Sequence, residues 1–240
     1  MQLVSLQFKT TIDFQKNLDK LVDLIEHCPT NSFIVAPEVC LTEFAYDRFE
    51  EAANFSKHAI NVLLGLSNSK YISLTLIVKD NNQFYNVAYI FYKNQIIYKQ
   101  SKAKLFPLGE ELKYFTAGST NDIQIVDIDG LKIGILICFE IRFIKLWEQL
   151  QGADLILVPS LWGEPRKSQY EILTRALAVA NQCYVIASNS ANDDMASSSS
   201  VINPFGEYII DDTKEVLTTK FDYAVVKRMR RYMNIGFLDN

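Results

Sequence analysis

Three reactive side chains stand where apolar runs of this sequence stop. Glu38 closes FIVAPE, Lys102 follows QIIYKQS, and Cys138 ends IGILIC. A thiol needs a base to become a nucleophile, and a carboxylate partly shielded from water is a competent base near neutral pH. An ammonium beside them would stabilise the thiolate and then the oxyanion of a tetrahedral intermediate. The backbone N–H of Phe139, the first after the sulfur, can point at the same oxygen. This is the chemistry of acyl transfer through a thioester. Taken singly, each residue has a plainer use. Lys102 lies among Lys93, Lys99 and Lys104 and reads as a solvated lysine, Glu38 reads as a helix cap, and Cys138 serves as well in a core. Their joint placement carries the argument, because open α/β sheets gather ligands outside the carboxyl ends of their strands.

The elements that must position them follow from hydrophobic periodicity. Residues 2–8 alternate as a first strand. Phe14, Leu18, Leu21, Val22 and Ile25 have helical spacing, which predicts a helix over 13–26. SFIVAPE (32–38) reads as a buried strand closed by Pro37, 48–66 as a helix, and YISLTLIV (71–78) as a strand. The segments around VAYIFY and QIIYK (87–99) pair as a hairpin about Lys93-Asn94. Then come a strand at 123–128, a turn at Asp129-Gly130, and the strand that reaches Cys138. Helices near 142–151 and 166–182 alternate with strands at 153–160 and 183–190. Short strands near 200–210 and 221–226 close the chain, and the basic run 227–233 reads as a solvated surface or interface helix. Strands alternating with helices, mixed with hairpins, predict a layered α/β fold.

Composition limits the function classes. The chain has 240 residues, 49% hydrophobic and 22% charged, which suits one large domain over 1–240 with no Pro/Gly/Ser-rich linker. A net charge of −4 argues against a nucleic-acid binder, and no apolar run approaches the ~20 residues of a membrane span. MQLVSLQF lacks the basic start and long apolar stretch of a signal peptide, and the four cysteines contain no CxxC pair. Free thiols in the cytoplasm are the expectation, with Cys40 and Cys183 as small buried hydrophobes. The two histidines, His27 and His58, sit among polar helix residues and suggest neither a metal site nor a Ser–His–Asp triad. No phosphate-binding glycine loop is present. An enzyme without cofactor or metal is expected.

The three segments resemble the three signatures of the nitrilase superfamily of carbon–nitrogen hydrolases. APEVCLTEF resembles the first, SKAKLFPLGEE the second and GILICFEIRF the third. The resemblance continues through GADLILVPSLWG, RALAVANQCYVIASN and VINPFGE, and so spans nearly the whole chain. It implies an αββα sandwich of two stacked mixed sheets, assembled as a homodimer or larger homo-oligomer through a helical face, with the tail 227–240 a candidate for that interface. It also implies Glu38 as general base, Lys102 as oxyanion cation and Cys138 as nucleophile. Many members carry a second, supporting Glu seven residues before the Gly of an aromatic-x-x-Gly stretch; counting from Gly118 selects Glu111, with Glu110 as runner-up.

Departures from the pattern bear on substrate. Glu43 stands where relatives often have Gly, Lys104 replaces a usual His, Ile144 a usual Pro, and Ser190-Ala191-Asn192 follows Asn189 where Gly is expected. Glu43, Phe44 and Trp162 are candidates for the pocket, each also readable as packing, and Arg142 and Arg175 are expected to form structural ion pairs. The expected activity is hydrolysis of a small molecule's linear amide or N-carbamoyl amine. The aromatic-Glu-x-Arg-Phe run leans toward amidases acting on dicarboxylate monoamides, whereas an acidic Glu43 would favour a cationic amine. Nitrile hydrolysis, and a non-enzymatic binding or redox-sensing module on the same fold, are the rivals.

Overall fold

A computed structural model describes residues 1–236 of the chain. In chain order the elements are β1 (Gln2–Leu6), α1 (Phe14–His27), β2 (Ser32–Val35), α2 (Phe49–Leu66), β3 (Tyr71–Asp80), β4 (Gln83–Tyr92) and β5 (Gln95–Ser101). There follow α3 (Glu111–Tyr114), β6 (Val126–Ile128), β7 (Leu131–Ile135), α4 (Ile144–Gln149), β8 (Leu155–Pro159), α5 (Lys167–Ala180) and β9 (Tyr184–Ser188). Last are β10 (Ser200–Ile202), β11 (Tyr208–Ile210), β12 (Val216–Lys220) and α6 (Tyr223–Tyr232).

The strands form two six-stranded mixed sheets, in the orders β12-β1-β2-β3-β4-β5 and β11-β10-β9-β8-β7-β6. The period-2 pattern of each strand decides which layer a side chain joins. In the first sheet Leu3, Phe33, Val35, Ala88 and Ile90 turn inward to meet Ile133, Ile135, Leu155, Leu157 and Ala187 of the second. Val4, Leu6, Ile34, Ile72 and Leu74 turn outward and are covered by Leu18, Leu21 and Ile25 of α1 and Ala59 and Leu63 of α2. Helix α5 covers the second sheet. The result is the expected αββα sandwich. Polar stitches cross between the sheets, with Ser5 Oγ donating to Ala187 O at 2.7 Å and Gln100 Nε2 to Ile135 O at 3.3 Å.

Local chemistry sets the element ends. Asp13 caps α1, its side chain accepting the Lys16 N–H at 3.1 Å. The predicted hairpin turn at Lys93-Asn94 has both residues in the left-handed region, at φ 51° and 58°. A second turn of the same kind, at Asn81-Asn82 with φ 45° and 64°, starts β4 four residues before the expected position and pairs it with β3.

The C-terminal end corrects the expectation. Residues 221–226 are not a strand: the last strand is β12, which pairs antiparallel with β1, and helix α6 starts at Tyr223. Asp222 nucleates that helix by accepting the Ala224 N–H at 2.9 Å, while Val226, Met229 and Arg230 form its buried face. Arg230 is accordingly not part of a solvated basic face. Its guanidinium is buried, 3.1 Å from Asp154 and donating to Ala153 O at 2.7 Å. Of the expected interface tail 227–240, residues 237–240 lie outside the described residues.

Candidate active site

The three strand ends deliver their side chains to one buried point. Pro37 ends the extended run after β2, and the Glu38 N–H then donates to Ser160 O, at 3.1 Å, in the loop that follows β8 of the other sheet. The next residue, Val39, takes a left-handed φ of 41° and donates its N–H to Thr75 Oγ1 at 2.8 Å. Those contacts leave the Glu38 side chain pointing inward, with no solvent exposure. Lys102 leaves β5 held on both sides: its N–H donates to Asn86 O, and its carbonyl accepts the Gly118 N–H, each at 2.8 Å. Only glycine permits that second approach, because a Cβ at 118 would lie 2.6 Å from Ser101 O.

Cys138 opens a 3₁₀ turn, Cys138–Arg142, three residues beyond β7. Its φ is +50°, a conformation that costs a non-glycine residue roughly 1–3 kcal/mol and presents the sulfur off the strand end. Glu140 secures the turn. Its fully buried carboxylate accepts the Ile137 N–H at 2.7 Å through one oxygen, and through the other the Ala103 N–H at 2.6 Å. One side chain thus fastens the Cys138 turn of the second sheet to the Lys102 loop of the first.

At the centre, Lys102 Nζ donates to Glu38 Oε1 and to Glu111 Oε1, both at 2.7 Å. Asn86 Nδ2 donates to the same Glu38 oxygen at 2.8 Å. Glu38 Oε2 has no hydrogen-bond partner among the described residues. Glu111 is thus the carboxylate brought to the lysine, while Glu110 pairs with Lys113 at the surface. The electrostatics are those of two carboxylates sharing one cation away from water. Burial alone would lower the Lys102 ammonium, but Glu38, Cys138 and Glu111 outweigh it and hold its pKa above the ordinary lysine value. Burial, opposed by Lys102 and reinforced by Glu38, raises Glu111 to about 7. Burial and the Glu38 charge push the Cys138 thiol well above the thiol range, against the pull of Lys102 and the Leu161 N–H. That N–H faces the sulfur at 3.5 Å.

Cys138 opens onto a pocket walled by Phe106, Phe139, Leu161 and Trp162, with Arg142 and Arg166 at its sides. Of the three side chains expected in a pocket, Trp162 is in this wall. Phe44 lies beside the cluster, its ring centre 5.7 Å from Lys102 Nζ. Glu43 is not in the wall: it takes a φ of 49° and accepts a hydrogen bond from Asn192, while burial and the charge of Asp194, against that bond, leave its pKa raised. Asn189 holds the Trp162 loop, its Oδ1 accepting the Trp162 N–H at 2.8 Å.

The ion pairs expected of two arginines are not formed among the described residues. Arg142 donates to Gln169 and stacks 4.6 Å from the Trp162 ring, and Arg175 stacks 4.4 Å from the Tyr208 ring. Sequence reasoning missed Asn86, Glu140 and Arg166. The position of Glu140 two residues after the cysteine was a signal; Asn86, in mid-strand, gave none. No group of three or more potential metal ligands occurs among the described residues, and no helix among them is long and apolar enough to cross a membrane.

Comparison with known proteins gives matches over the whole architecture. Residues 2–231 match the family described as carbon-nitrogen hydrolase. The 2-oxoglutaramate amidase of Bacillus subtilis is 30% identical over 194 residues, covering 76% of this chain and 74% of that protein. The chloroplastic omega-amidase of Arabidopsis thaliana is 26% identical over 253 residues, covering 93% and 68%. Among solved structures, a variant of the amidase from Nesterenkonia sp. AN1 superposes with a TM-score of 0.82 at 19% identity, covering 97% of this chain and 94% of the other. That structure carries the acetamide moiety of fluoroacetamide added covalently at the active-site cysteine.

Proposed function

The chain belongs to the carbon–nitrogen hydrolase family, whose members cleave carbon–nitrogen bonds other than peptide bonds, and from that premise we propose that it hydrolyses a small linear amide through a Cys138 thioester. The observation that carries this reading is the buried Lys102 ammonium, 2.7 Å from both Glu38 and Glu111, beside a thiol that opens onto a pocket. The amidase relatives, and the covalent adduct on the cysteine of a protein with the same fold, support it.

A thiol whose pKa is raised by burial does not store a thiolate at neutral pH, so its proton must leave as the sulfur attacks. Glu38 takes that proton, its unpartnered Oε2 being the available oxygen. The new C–S bond makes the carbonyl oxygen an oxyanion, which Lys102 and the Phe139 N–H stabilise. Glu38 returns the proton to nitrogen, the C–N bond breaks, and ammonia or an amine leaves. Water then attacks the thioester as Glu38 accepts its proton. The C–S bond breaks to release a carboxylic acid, and the proton returns to sulfur. Glu111, bonded to Lys102 and not to the thiol, keeps the ammonium in position. N-carbamoyl amines are open to the same steps.

The test is ammonia release from a panel of amides, carbamoyl amines and nitriles by the native chain and by Cys138→Ala. Expected is turnover of at least one amide that Cys138→Ala abolishes, with the folded state kept. Equal turnover by the variant would refute the assignment.

A further inference from the structure

Asn86 touches both halves of the Lys102–Glu38 pair. It lies on β4, where Ala88 and Ile90 turn into the layer between the sheets, and period-2 alternation continues that row to Asn86. Its neighbours fill the layer with apolar volume, whereas Asn86, 1% exposed, brings an amide into it. A buried amide costs free energy unless both of its ends are bonded. This one is bonded at one end: Nδ2 donates to Glu38 Oε1 at 2.8 Å, and Oδ1 has no partner among the described residues. Packing alone would be served better by an apolar residue. The amide's orientation follows from its partner, since a carboxylate only accepts and the NH2 group must face it. The backbone of the same residue holds the cation, its carbonyl accepting the Lys102 N–H at 2.8 Å.

The two oxygens of Glu38 are thereby made unequal. Oε1 receives Lys102 Nζ at 2.7 Å and Asn86 Nδ2 at 2.8 Å, while Oε2 receives no donor. An ammonium is a point charge with rotatable donors and is satisfied by either carboxylate oxygen. An amide N–H is directional and selects one. We propose that Asn86 is a positioning residue of the reaction, pinning Glu38 by Oε1 so that Oε2 stays free to receive and return the Cys138 proton. This deepens the hydrolase reading above and rests on it. No bond is made or broken at Asn86. The proton passes from sulfur to Oε2 and on to the leaving nitrogen, then from water to Oε2 and back to sulfur. The amide keeps the accepting oxygen the same at each transfer. Asn86 is absent from the pocket wall, so its effect falls on the chemistry and not on substrate binding.

The experiment measures kcat and KM, as functions of pH, for the native chain and for Asn86→Leu, which keeps the approximate shape and deletes the donor. The substrate is whichever amide of the panel above the native chain turns over fastest. The other titratable groups that face Glu38, namely Lys102, Glu111, Cys138 and Tyr46, are the same in both proteins. Asn86→Leu is expected to lower kcat by about 10- to 100-fold while KM stays within about twofold, the pattern of a base moved out of line and not of a damaged pocket. The acid limb of its kcat/KM profile should move to higher pH, because the carboxylate has lost a donor to its charged form. A kcat near the native value with a superposing pH profile overturns the proposal and leaves the hydrolase reading intact. So does a loss carried by KM. If the native chain turns over nothing in the panel, the hydrolase reading fails and this role for Asn86 fails with it. Should Asn86→Leu not fold, Asn86→Ala deletes the same donor and is held to the same split between kcat and KM. Failure of both variants to fold would make the amide a structural requirement and overturn the proposal.

Discussion

Lys102 Nζ and Glu38 Oε1 stand 2.7 Å apart although 64 positions of chain separate them, and neither side chain has any contact with solvent. A second carboxylate, Glu111, lies at the same distance from the ammonium. Removing the cation leaves two buried carboxylates facing each other, and breaking a buried pair in this way costs about 3–5 kcal/mol. Lys102→Met should therefore abolish ammonia release and also lower the unfolding free energy measured in urea by an amount of that order. An active or fully stable Lys102→Met protein would show that the cation is dispensable.

Glu111 gives the cluster its pH dependence. Burial raises it to about 7, so the cluster holds an extra proton below that pH and loses it above. An active base requires the proton gone, so kcat/KM should rise with pH across the region near 7. Glu111→Gln removes the second carboxylate and with it the competition for the Lys102 charge. The acid limb should then move to lower pH, with kcat reduced about 10-fold or more because the ammonium loses one of its two anchors. A pH–rate profile of this variant that superposes on that of the native chain would contradict the role given to Glu111.

What the sequence disclosed and what it withheld divide along a physical line. Strand interiors and the helical stripe of α1 were legible because they are local periodicities. So was the clustering of Glu38, Lys102 and Cys138, because each sits where such a period stops. Glu140 was not legible as a tie, since its partners are backbone N–H groups of Ile137 and Ala103, which carry no side-chain signature. Asn86 was hidden for a similar reason: in an apolar strand one amide reads as an interruption, until its neighbour proves to be Glu38. The start of α6 was misjudged because Phe221, Tyr223, Val225 and Val226 all favour strands, yet the Asp222 cap and the buried helical face outweigh that propensity.

The Glu140 tie predicts a stability effect with a definite sign. Burial, against three backbone N–H donors, raises this carboxyl from 4.5 to about 7. The folded chain then holds a proton that the unfolded chain gives up between those values. Its contribution to stability is present below pH 4.5 and is lost as pH rises toward 7, with a slope of at most ~1.4 kcal/mol per pH unit. Urea unfolding between pH 5 and 7 should show this decline. Glu140→Gln should be less stable throughout, since an amide cannot accept at both ends, and should show a shallower slope. An unchanged slope would assign the titration elsewhere.

Cysteine labelling should separate Cys138 from three other cysteines that are also buried. Cys28, Cys40, Cys138 and Cys183 are all free and buried, so exposure alone does not distinguish them. Burial raises the thiols of Cys40 and Cys183 far above the usual range, and neither is in the wall of the Cys138 pocket. Cys138 also has a raised thiol, but it opens onto the arginine-flanked pocket, with Lys102 beside it to stabilise the thiolate as it forms. A small neutral alkylating agent applied to the native protein should therefore modify Cys138 at least ~10-fold faster than the others, at a rate still climbing at pH 9. Peptide mapping by mass spectrometry reads the site. Equal, slow modification of all four cysteines would mean that the pocket does not expose the sulfur to a small electrophile, and the proposed attack on an amide carbonyl would lose its footing.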